Sequence, residues 1–309
     1  MTSGPVANTL STYDFDGRLR RTLTTQQGAS GLVLSEDGKT LYVALAAGDA
    51  ISAIDTETFT ERTRYATGAH TCPAHLTRIG ADIWFGYGCD AWAGAVGRLD
   101  TSQEPAKVSL DAQVPPDQIK EDPKRFERPP LLETGGTVTR TLVASQPHIS
   151  PVNVRVYTVK DGALVPGVRD DRGGSNLTDL AVSPDGATLF TAAGSQDHIE
   201  GFATSDLSGK GAWFTEQAPT ALAAAPDGTY LANGTRTARS DGATVVLEPL
   251  VAGVEAISYR LPKGKRLADR GLAWSADGTA LAIIAQDGKD AGPAVYVVRP
   301  GEAERGGVG

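Results

Sequence analysis

Chemistry in this sequence has few places to come from. Its 309 residues hold four histidines and two cysteines, and 37 acidic against 29 basic side chains leave a net charge of −8. The cysteines, Cys72 and Cys89, bracket the stretch CPAHLTRIGADIWFGYGC, whose midpoint is Gly80–Ala81. Read as strand, turn, strand, it sets the two sulfurs opposite each other across an antiparallel pair. The Cα atoms then fall within the ~4.4–6.8 Å a disulfide needs. The alternative is two free thiols in a reducing compartment. His70 and His75 stand close to Cys72, but zinc takes four well-spaced ligands, so no metal is expected. There is no Gly-x-Ser-x-Gly, no His-Glu-x-x-His, no Cys-x-x-Cys and no phosphate-cradling loop. No cofactor is therefore expected, and no residue is assigned as catalytic.

The elements that would position these residues repeat along the chain. SEDGKTL (Ser35 to Leu41), SPDGATL (Ser183 to Leu189), APDGTYL (Ala225 to Leu231) and SADGTAL (Ser275 to Leu281) share the pattern small–x–Asp–Gly–x–x–Leu. Asp-Gly tolerates positive φ and caps itself, so each reads as a hairpin turn between two short apolar strands. Leu32, Leu180, Leu222 and Leu272 precede the turns by a constant offset, and Leu76 and Leu132 occupy the same place in two degenerate copies. The spacing averages roughly 48 residues, close to the ~40–50 of four-stranded propeller blades. Third strands follow, such as AISAIDTET (Ala50 to Thr58), and a polar fourth strand such as TERTRYA (Thr60 to Ala66) suits a blade edge in water. The fold class expected is all-β, a propeller of four-stranded antiparallel blades. Six units span residues 29 to 300, and residues 11 to 25 look like the outer half of another. The expectation is thus seven blades with an incomplete first one, against an alternative of six. A single domain over 1–300 precedes a flexible tail at 301–309.

TLYVALAAGDAISAIDTETF (Thr40 to Phe59) resembles the repeat of YVTN-type β-propellers, with its LYV strand and S-x-IDT strand. The whole chain more loosely resembles secreted propeller domains of actinobacteria. The resemblance implies the propeller fold and an extracellular setting, and it carries no catalytic residues over. The start MTSGPVANTL has no signal-peptide pattern, which taken alone implies the cytoplasm. A chain that begins in mid-blade implies an upstream segment, and a disulfide implies an oxidising compartment. Extracellular or cell-surface localisation is the expectation.

Within this frame, one mouth of the propeller collects the starts of the first strands. His75, Asp179, Asp269 and Arg270 fall there, and loops around the same mouth bring Trp92, His148 and His198. The insertion AQVPPDQIKEDPKRFERPP (Ala112 to Pro130), with its lone Phe126, is either a lid, a partner surface or a solvated excursion. The net negative charge argues against nucleic acid, and no apolar run approaches the ~20 residues of a membrane helix. The leading reading is a non-catalytic module binding a protein or a cell-envelope polysaccharide through the mouth-side face. The rivals are a lactonase- or lyase-like enzyme at the mouth, and a lectin stacking sugars on Trp92 or Tyr87.

Overall fold

The computed structural model of the chain describes residues 8–114, 125–135, 140–170, 174–287 and 293–300. The expected tail at 301–309, the centre of the insertion and the extreme N-terminus lie outside the described residues. Six antiparallel sheets follow one another in chain order, each built from strands consecutive in sequence. Blade 1 takes Ala29–Leu34, Thr40–Leu45, Ala50–Asp55 and Glu61–Ala66, and blade 2 takes His75–Ile79, Asp82–Tyr87, Ala95–Asp100 and Lys107–Ser109. Blade 3 takes Leu131–Thr134, Thr141–Ser145, Val154–Lys160 and Ala163–Asp170. Blade 4 takes Leu177–Val182, Thr188–Ala193, His198–Ala203 and Gly209–Phe214, and blade 5 takes Pro219–Ala224, Tyr230–Thr235, Val245–Pro249 and Ile257–Tyr259. Blade 6 has three strands, Lys265–Trp274, Leu281–Asp287 and Ala294–Val298.

The expected seventh blade does not form. Leu10–Tyr13 and Leu19–Leu23 make a separate two-stranded sheet. The second of these strands is almost wholly exposed, and only Leu10 and Leu23 reach apolar cover, against blade 1. Two strands with so little to bury do not make a blade of their own.

The blades cluster into two compact units, with blades 1 to 3 in the first and blades 4 to 6 in the second; the 13–18 turn and the 148–153 loop group with the second. Within each unit the first strands of successive blades adjoin. Second strands have cover on both sides, so they read as near-continuous apolar runs, as in Thr40–Leu45 and Asp82–Tyr87. Fourth strands such as Glu61–Ala66 and Gly209–Phe214 are mostly exposed, with Tyr65 and Trp213 turned against the core.

The repeated motif has a physical reason. In blades 1, 4 and 6 the serine Oγ donates to the turn aspartate: Ser35 to Asp37 at 2.6 Å, Ser183 to Asp185 at 2.5 Å and Ser275 to Asp277 at 2.6 Å. Each serine Oγ also accepts the N–H five residues on, and the following glycine sits at φ near +70°. The IDT signature closes the blade from the other side. Asp55 accepts the N–H groups of Glu57 and Thr58 at 2.8 and 2.7 Å, while Thr56 Oγ1 donates to Gly38 C=O at 2.8 Å. Thr101 and Thr204 bolt the equivalent turns of blades 2 and 4.

These caps make an acid-stability prediction. The Ser275 hydroxyl holds the Asp277 carboxyl down to about 2, and the Thr58 N–H does the same for Asp55. Ser35 and Ser183 lower Asp37 and Asp185. A folded value below the unfolded one, ~3.9, means these groups support the fold above pH ~4 and lose that support as pH falls toward ~2. The melting temperature should drop across that window. A triple Ser35→Ala, Ser183→Ala, Ser275→Ala variant should show a shallower drop from a lower plateau.

Candidate functional site

Trp92 is the most exposed large apolar side chain among the described residues, 67% accessible, and its backbone is held at φ +64°. A β-unbranched aromatic at positive φ persists only where its surroundings fix it, and four attachments do so. Trp92 N–H donates to Glu127 C=O at 2.9 Å, and Gly94 and Phe126 exchange both backbone hydrogen bonds at 2.9 and 2.7 Å. Arg125 Nη1 donates to Ala93 C=O at 3.1 Å. The backbones approach so closely that a Cβ on Gly94 would lie 2.1 Å from Arg128 C=O. The fourth attachment is the disulfide, Cys72–Cys89, with Cα atoms 5.2 Å apart as the hairpin symmetry predicts. The blade 2 ladder extends outward past it, through Ala74 N–H to Gly86 C=O and Gly88 N–H to Thr71 C=O. Closing a loop of this length contributes about 3 kcal/mol in the chain-entropy account.

Asp49, which sequence reasoning missed, anchors the other side of the disulfide. It follows the short 3-10 turn Ala46–Gly48 and takes a left-handed conformation. Its Oδ2 accepts His70 N–H at 2.8 Å, and its Oδ1 accepts the N–H groups of Thr71 and Cys72 at 2.9 Å each. Burial would raise the carboxyl, but those backbone donors outweigh it and hold it below the usual range. The only sequence signal was an acid in the Gly-Asp corner of the blade 1 loop. His70 Nε2 and Asp90 Oδ2 meet at 2.7 Å across the same gap.

The insertion is neither a free excursion nor wholly accounted for. Residues 115–124 lie outside the described residues, but both flanks are ordered contacts. Phe126 has no accessible surface and packs with Trp84, Val96, Leu132, Leu142 and Tyr157. The Arg155 guanidinium lies 4.0 Å from its ring centroid. Asp111 receives Tyr87 OH at 3.0 Å and Arg125 Nη2 at 3.0 Å. Tyr87 is therefore not a stacking platform. It is 5% accessible, and burial pushes its hydroxyl up to about 12.

In the second unit the expected groups are spoken for individually. Asp179 lies on the first strand of blade 4 and is 3% accessible. Its Oδ1 accepts Arg270 Nε at 3.1 Å and Leu180 N–H at 2.9 Å, and its Oδ2 accepts Leu222 N–H at 2.8 Å. Burial pushes the carboxyl up, against the pull of Arg270 and the two N–H groups. This one side chain joins the first strands of blades 4, 5 and 6. Bulges at Leu177/Asp179, Pro219/Ala221 and Leu267/Leu272 make the approach possible, and Arg270 sits in the last of them at φ +56°. Asp269 turns away to an exposed pair in which Arg236 Nη2 donates to both carboxylate oxygens, at 2.6 and 2.8 Å. His148 Nδ1 contacts Asn176 Oδ1 at 3.2 Å, and His198 Nδ1 contacts Asp197 Oδ1 at 3.1 Å. The structure therefore brings Asp179 and Arg270 together, and gives Asp269, His148 and His198 other partners. In the first unit, half-buried His75 opens blade 2 three residues beyond Cys72.

A carboxylate oxygen of Asp49 and the sulfurs of Cys72 and Cys89 cluster within 4.8 Å, but the sulfurs are bonded to each other and are not ligands. Among the described residues no helix is long and apolar enough to cross a membrane. No family model matches the sequence, and no curated protein matches it. Among solved structures, the hydrazine synthase of Kuenenia stuttgartiensis is similar over 94% of this chain and 89% of that one, with a TM-score of 0.66 and 16% identity. At that identity the likeness speaks for the fold alone, and the fold of this chain is a β-propeller.

Proposed function

We propose that the protein is a non-catalytic binding module that engages a protein or a cell-envelope polysaccharide through the Trp92 loop. The observation that carries this reading is a large aromatic held out in solvent on a backbone held by the 125–127 segment and the disulfide. Tryptophan dominates binding hot spots because one rigid ring buries much area for little lost entropy. A loop already locked in place adds no ordering cost on association. The flat indole suits a sugar face as well as an apolar peptide side chain. The enzyme reading finds less support. Asp179, the most deeply buried acid of the expected mouth, already accepts three hydrogen bonds and faces a guanidinium. A carboxylate so saturated is a staple between strands rather than a base with a lone pair to offer. The half-exposed disulfide and the YVTN-like blade 1 support an oxidising, extracellular setting.

The test separates binding from folding. Trp92→Ala removes an exposed side chain, so stability should change by less than about 0.5 kcal/mol. Binding to immobilised cell-envelope material, separated into protein and polysaccharide fractions, should weaken by at least about fivefold in one fraction, corresponding to about 1 kcal/mol or more. Equal binding by Trp92→Ala and the parent in both fractions would remove the proposal.

A further inference from the structure

Asp49 has a place in the fold that its capping role does not exhaust. One of its carboxylate oxygens and both disulfide sulfurs lie within 4.8 Å of one another. Three backbone N–H groups fix that carboxylate, and one belongs to Cys72 itself. It cannot swing aside without uncapping the 70–72 loop. Of the other charged groups near it, His70 pairs with Asp90 and Arg125 with Asp111. The two cysteines are half-buried rather than enclosed in the core.

We propose that Asp49 is an electrostatic guard of the Cys72–Cys89 disulfide, slowing its reduction by thiols. In the first step an external thiolate attacks one sulfur, an S–S bond forms to it, and the other cysteine leaves as a thiolate. A second external thiolate then attacks the mixed disulfide, releasing the second cysteine and an external disulfide. Two protons from solvent neutralise the two cysteines. Negative charge builds on the protein sulfurs in both steps, beside a fixed carboxylate. That raises the pKa of each leaving thiol, which makes it leave more slowly, and it repels an incoming anion. The carboxyl is held below the usual range, so it stays charged wherever thiolates exist. The inference does not depend on what the Trp92 loop binds.

The experiment reduces the folded protein with cysteamine, 2-mercaptoethanol and 2-mercaptoethanesulfonate at matched thiolate concentrations. Aliquots are trapped with an alkylating agent and the free thiols counted by mass spectrometry. In the parent, the cationic thiol should act about threefold or more faster than the anionic one. Asp49→Asn should speed reduction about three- to tenfold, most for the anionic thiol, and bring the ratio close to one. Thr71→Ala loosens the same loop but keeps the charge, so it should leave the ratio at the parent value. Equal acceleration of all three thiols by Asp49→Asn would show loosening alone and overturn the proposal. A ratio in Thr71→Ala that collapses as in Asp49→Asn, or an unchanged rate in Asp49→Asn, would overturn it too.

Discussion

Replacing Asp179 by alanine should destabilise the protein by about 2–4 kcal/mol, because two buried N–H groups lose their acceptor and a partly accessible guanidinium loses its partner. The substitution takes the carboxylate from beside the Arg270 guanidinium and leaves the buried Leu222 N–H without its acceptor. Three first strands lose their common tie at once. Chemical denaturation with the parent and variant measures this directly. A double Asp179→Leu, Arg270→Met variant should recover part of the loss, because it removes the guanidinium together with the carboxylate. A variant that keeps parental stability within about 1 kcal/mol would show that the pair is not structural. It would then reopen the view of Asp179 as a working acid.

Phe126→Ala should cost about 3–5 kcal/mol, by emptying a fully buried site among Trp84, Leu132, Leu142 and Tyr157. The Arg155 stack goes with it, for about 1 kcal/mol of that total. The consequence reaches the Trp92 loop. Phe126 and Glu127 supply the carbonyls that hold Gly94 and Trp92, and without the ring the 125–127 segment has lost its anchor. Hydrogen exchange at residues 92–94 should therefore rise with the loss of stability, and partner binding should weaken though Trp92 itself is intact. Phe126→Leu should fall between parent and alanine in both measurements. A loss below about 1 kcal/mol with unchanged exchange would mean that the insertion flank is not what fixes the loop.

What could be read in advance follows from which contacts are local. The Ser-x-Asp-Gly turns and the IDT corners repeat because each closes on itself within one blade, so their signature stays in contiguous sequence. The Cys72–Cys89 pair was legible for the same reason: both residues flank a single hairpin. Asp49 was not, since its partners at 70–72 come from the next blade and nothing beside it in sequence marks them. The burial of Phe126 was not legible because its cover, Trp84 and Tyr157, is distant along the chain. Asp179 and Arg270 were singled out from their places in the repeat, but the bulges at Leu177/Asp179 and Leu267/Leu272 were not legible. An Asp and an Arg near two strand starts give no sign that the strands bend until they meet. The count of seven blades failed on burial: the 10–23 segment forms two paired strands but has too little apolar surface to build a blade.

The reading of Trp92 as the contact point is tested most directly by photo-crosslinking. A benzophenone side chain placed at position 92 is compared with the same group at positions 39 and 81, which lie exposed in the Asp-Gly and Gly-Ala turns at the other end of blades 1 and 2. Irradiation is carried out in the presence of the cell-envelope fraction that the parent binds. The account predicts a crosslinked species at position 92, reduced at least about fivefold at 39 and 81, and competed away by unlabelled parent but not by unlabelled Trp92→Ala. Crosslinking that is equal at the three positions, or stronger at 39 or 81, would contradict it.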